Sequence, residues 1–95
     1  MLTSKQKSYL RSLAQTEPAL FQIGKEGLSD NLIQTVDDAL RTHELVKIKL
    51  LKTVSDDVDE IIFDLAMNTK SEVVQKIGRV FVLYRKAKEQ KIILP

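Results

Sequence analysis

Cysteine is absent from this 95-residue chain, and glycine (three), proline (two) and histidine (one) are scarce. Without cysteine, neither a disulfide framework nor a thiolate metal site can form, and nothing points to an oxidising compartment. Aromatic residues are only 5% of the total. Tyr84 sits in an apolar run and reads as core, which leaves Tyr9 and three phenylalanines as stacking candidates. A sheet that reads RNA by stacking bases on aromatic rings is therefore not expected. No apolar run approaches the roughly 18 residues of a membrane span. The opening segment also lacks the continuous apolar core of a signal peptide, so the expected compartment is the cytoplasm, with no membrane partner.

What is present fits one soluble domain over residues 1–95: 43% of the residues are hydrophobic and 29% charged. The formal net charge is only +2, but charge is sorted by segment. Residues 45–54 carry three lysines and no acid, residues 55–69 five acids and no base, and residues 70–95 seven bases against two acids. Sorting of this kind matters for binding only if folding keeps the signs apart in space.

Local patterns predict the order α-β-α-β-α-β-β. LTSKQKSYLRSLA begins with Thr3 and Gln6 spaced as a capping box, and Leu10, Leu13 and Ala14 share one helical face. Lys7 and Arg11, four residues apart, flank that face. ALFQI (19–23) is a short strand candidate that ends at Gly24. Ser29 can cap a second helix with Asp30 in its first turn, and Leu28, Leu32, Val36 and Leu40 carry its apolar stripe to about His43. LVKIKLLK (45–52) alternates, with Val46, Ile48 and Leu50 on one face and Lys47 and Lys49 on the other. Ser55 is the expected cap of a third helix with an acidic solvent face. Two β-rich runs around Gly78 predict a hairpin or a bulged strand pair, the second apolar on both faces as in an interior strand. IILP at the end is a possible further extended segment. Parallel pairing of the helix-separated strands, with an antiparallel terminal pair, makes this an α+β two-layer fold.

The stretch IGKEGLSD (23–30) stands out. Glycines at both ends of a strand–loop–helix junction let backbone N–H groups approach an anion at the positive end of a helix, and Lys25 adds a cation. The spacing is also that of an ordinary tight turn. The longer dinucleotide and Walker loops do not fit, since no third glycine and no Lys-Ser/Thr pair follows. Catalysis finds little support: His43 falls at a helix end with no nucleophile assigned to it, and Asp37-Asp38 and Asp56-Asp57 are neighbours that point apart on a helix. No enzyme activity, metal site or cofactor is expected.

Leu2-Thr3 through Leu10-Arg11-Ser12-Leu13-Ala14, Ile23 to Leu28, Glu44 to Ile48, Gln75 to Arg79 and Leu83-Tyr84-Arg85 together resemble the YhbY-type CRM domain, named for chloroplast RNA splicing and ribosome maturation. The resemblance runs nearly end to end. It implies a four-stranded mixed sheet packed with helices, similar to the C-terminal domain of bacterial translation initiation factor three. It also implies RNA binding, in free-standing bacterial members to precursors of the large ribosomal subunit. The RNA-contacting loop then maps onto Gly24, Lys25, Glu26 and Gly27, where many members have Asn in place of Glu26. The family's basic surface maps onto Lys5, Lys7 and Arg11, with Lys47 and Lys49, and Arg79 and Arg85 stand in matching blocks. The expected function is thus a non-catalytic, monomeric binder of ribosomal RNA. The alternative is a protein-interaction module that docks basic ribosomal proteins through its acidic third helix.

Overall fold

The computed structural model describes residues 2–52 and 57–95. Three helices, α1 (Ser4–Ala14), α2 (Asp30–His43) and α3 (Val58–Thr69), accompany four strands, β1 (Phe21–Ile23), β2 (Leu45–Leu50), β3 (Glu72–Ile77) and β4 (Val80–Tyr84). The sheet order is β1-β2-β4-β3, with β1 parallel to β2 and β4 antiparallel to both neighbours. The expected element order and mixed four-stranded sheet are therefore observed. The run that is apolar on both faces, β4, does lie inside the sheet.

Alternation along the strands produces two cores. Val46, Ile48 and Leu50 of β2 and Phe81 and Leu83 of β4 face one way and bury against Val36 and Leu40 of α2 and Ile61, Ile62 and Leu65 of α3. Val82 and Tyr84 face the other way, with Val74, and bury against Leu10 and Ala14 of α1. Helices thus cover both faces of the sheet, one layer more than the two-layer expectation. The second apolar face of β4 requires that extra cover.

Each helix start has a local cause. Thr3 Oγ1 accepts from Gln6 N–H while Gln6 Oε1 accepts from Thr3 N–H, closing the capping box. Ser29 Oγ accepts from Leu32 N–H at the head of α2. The expected cap of α3, Ser55, lies outside the described residues. The helix begins later, with Asp57 Oδ1 accepting from Asp59 and Glu60 N–H. Gly78, at φ 58, closes the β3–β4 hairpin, whereas the register shift lies upstream between Val73 and Gln75. The closing IILP segment adds no strand.

Glu44 fixes the C-terminal segment. Its side chain is fully buried where α2 turns into β2, at φ 65. The carboxylate accepts from Ala87 N–H (2.9 Å), Ile92 N–H (2.7 Å) and Lys91 N–H, and the Glu44 carbonyl accepts from Arg85 N–H. Burial alone would raise its pKa, but those backbone donors outweigh burial and hold it below the ordinary glutamate range.

Candidate nucleic-acid interface

The Gly24–Gly27 segment leaves β1 and forms a tight turn, with Gly27 N–H donating to the Gly24 carbonyl at 2.9 Å. Gly27 has φ 67, a conformation that side chains with a Cβ seldom adopt. Lys25 and Glu26 are exposed at the tip, and α2 follows three residues after Gly27. The first backbone N–H groups of α2 have no partner in its own ladder, and Ser29 Oγ takes up that of Leu32.

Leu51 ties this turn to the rest of the sheet end. Its N–H donates to the Ile23 carbonyl at 2.9 Å, and its side chain lies 3.5 Å from where a Gly24 Cβ would sit. Its carbonyl accepts from the Arg79 guanidinium at 3.1 Å, while Leu50 N–H donates to the Arg79 carbonyl. Lys25, Lys52 and Arg79, all exposed, therefore gather around Leu51 at one end of the sheet. Lys52 escaped the sequence reading, although the acid-free run 45–54 contains it.

Lys49 continues this group. It is exposed beside Gln22 and Val80 on the face that α1 covers, one residue pair in from the sheet end. On α1, Lys7, Arg11 and Gln15 form a stripe of i, i+4 neighbours. Gln15 borders one hollow with Ile77 and Val80 of the hairpin, so the Arg11 end of the stripe lies toward the loop end of the sheet. Lys5, two residues before Lys7, is turned about 200° around the helix and faces outward with Tyr9.

Three of the candidate residues have other engagements. Lys47 Nζ donates to the Ala14 and Glu17 carbonyls at 3.3 Å, so its charge satisfies the C-terminus of α1. Arg85 donates to Asp37 Oδ1 (2.6 Å), to the Asp37 carbonyl (2.9 Å) and to the Thr69 carbonyl (2.7 Å). Its hydrogen bond lowers the Asp37 pKa, so the Arg85 guanidinium is engaged within the fold. Glu26 lines a groove with Asp57, Glu60 and Asp64, on the acidic side of the loop. At the opposite end of the sheet, Arg41, Lys88, Glu89 and Lys91 line a shallow hollow beside the C-terminal segment, with Arg41 paired to Asp37 and Asp38.

Among the described residues no cluster of His, Asp and Glu could hold a metal ion, and no helix is long and apolar enough to cross a membrane. Tyr84 is buried as expected. Its hydroxyl has no partner among the described residues, and burial pushes its pKa up, with Glu44 and Glu72 adding to the shift.

The sequence profile of the CRS1 / YhbY (CRM) domain matches residues 2–85. The chain belongs to the CRM domain family. Among CRM relatives, it is 41% identical over 93 residues to the "Probable RNA-binding protein YqeI" of Bacillus subtilis, covering 98% of this chain and 97% of that one. It is 36% identical over 94 residues to an "RNA-binding protein" of Haemophilus influenzae, covering 99% and 95%. The solution structure of SAV1595 from Staphylococcus aureus superposes over the whole of both chains with a TM-score of 0.82 at 47% identity. The CRM resemblance read from the five sequence blocks is thereby established, and with it the fold.

Proposed function

We propose that the protein is a non-catalytic RNA-binding domain that associates with ribosomal RNA in precursors of the large subunit and assists their assembly. The observation that carries the reading is the cluster around Leu51: a tight Gly24–Gly27 turn at a helix head, with Lys25, Lys52 and Arg79 exposed around it. Lys25 and the turn's backbone N–H groups other than that of Gly27, which closes the turn, grip the sugar-phosphate backbone, and Lys49, Lys7 and Arg11 neutralise flanking phosphates along the α1 side. The relatives' names support RNA as the ligand. With no aromatic platform exposed on the sheet among the described residues, recognition is of shape more than of sequence. Glu26, turned toward carboxylates, takes no part in holding phosphate.

Affinity for a folded large-subunit rRNA fragment tests this reading. If about five phosphates are neutralised, log affinity falls against log salt with a slope near −3.5 to −4.5. Lys25→Ala and Gly27→Asp weaken binding while the circular-dichroism melt stays cooperative. A flat salt response, or unchanged affinity in both variants, contradicts the proposal.

A further inference from the structure

The outer face of α3 is the surface that an RNA-binding role leaves unexplained. Phe63 and Met67, one helical turn apart, are 61% and 63% exposed and form its outermost ridge. Large apolar side chains so far from cover, adjacent on one rigid helix, mark a binding surface more than a solvated one. Acids flank the ridge on both sides: Asp59 toward β3, where it pairs with Lys76, and Glu60 and Asp64 toward the loop. Beside it runs the groove of about 380 Å³ already met at Glu26, with Leu28 and Ile61 as its apolar part and Glu26, Asp57, Glu60 and Asp64 around it.

We propose that this ridge and groove dock a second macromolecule, a lysine- and arginine-rich polypeptide segment that carries bulky apolar anchors. The charges select the occupant. Phosphate is repelled by four carboxylates, so RNA does not cover the face. A second copy of this chain in a two-fold contact would lay the same acids against one another. A basic segment meets both demands: its apolar anchors pack on Phe63 and Met67, and a lysine or arginine lays its stem on Leu28 and Ile61 with its head among the acids. Glu26 thereby gains a role. One loop serves two partners, with Lys25 toward RNA and Glu26 toward the basic polypeptide, and the protein can bridge them. The inference stands apart from the RNA reading, since all its residues but Glu26, which shares the glycine turn, lie outside the basic cluster.

The test uses the full chain, 15N-labelled, and a fluorescein-labelled amphipathic peptide with a leucine stripe and a lysine face. An all-lysine peptide of equal length and a glutamate-faced peptide are the controls. The expected result is amide shifts at Glu26–Leu28 and along α3 with the lysine-leucine peptide, little effect from either control, and at least tenfold weaker binding by Phe63→Ser/Met67→Ser. Both side chains are exposed, so the double variant keeps the wild-type melt and its RNA affinity. Equal binding by the all-lysine peptide, shifts located elsewhere, or undiminished affinity in the double variant overturns the proposal. Self-association abolished by the same variant would instead assign the ridge to a second copy, and also overturns it.

Discussion

Glu44 shows how a single buried charge can organise a chain end. A glutamate at φ 65 is held in a costly conformation, and three backbone N–H bonds to its carboxylate offset that cost. Replacing one carboxylate oxygen by an amide turns an acceptor into a donor facing N–H groups. Glu44→Gln should therefore lose about 1–3 kcal/mol of stability, measured by urea unfolding, and should loosen residues 87–92 in hydrogen exchange. Its pH dependence follows from the lowered pKa. The folded state binds its proton less readily than the unfolded state, so the contribution is complete above the ordinary value of 4.5 and is lost as pH falls through the depressed one. Asp37, depressed below 3.8 mainly by the Arg85 hydrogen bond, acts in the same direction. Wild type should lose stability from about pH 4.5 downward, and Glu44→Gln should flatten the upper part of that decline. Nothing in the sequence near Glu44 foretold this. Its partners are 43 to 48 residues away, and a lone glutamate after a helix reads as a surface charge.

At the scale of elements, the patterns that were legible are the local ones. The capping box of α1, the Ser29 cap, the alternation of β2 and the doubly apolar β4 each depend on neighbours within a few residues, and the structure contains them. The side of the sheet taken by α1 was not legible, because its apolar face fits either core. The roles of Lys47 and Arg85 also depend on tertiary partners: a lysine that ends α1 and an arginine that joins β4 to α2 and α3 look in sequence like any exposed base. Arg85 links three elements through one guanidinium. Arg85→Ala should accordingly cost about 1–3 kcal/mol in a denaturant titration, since it takes the donor from the Thr69 carbonyl and leaves Asp37 with Arg41 alone. RNA affinity of the still-folded fraction should match wild type. A large loss of affinity without loss of stability would return Arg85 to the interface.

Over the whole molecule, the segmental sorting of charge becomes a spatial one. The acids of α3 form one surface with Glu26, and the bases around Leu51 form another at the loop end of the sheet. The glycine turn lies at their border, with its two tip residues of opposite sign. A small net charge therefore conceals a polarised molecule, and a binding partner should discriminate between its sides. The most direct test is chemical-shift mapping of the 15N-labelled protein with a folded large-subunit rRNA fragment. The account predicts shifts concentrated at Gly24–Gly27, Lys49–Lys52, Arg79 and the Lys7–Arg11 stripe, with the amides of α3 unmoved. Shifts confined to α3 or to residues 86–91, with the glycine turn silent, would contradict it.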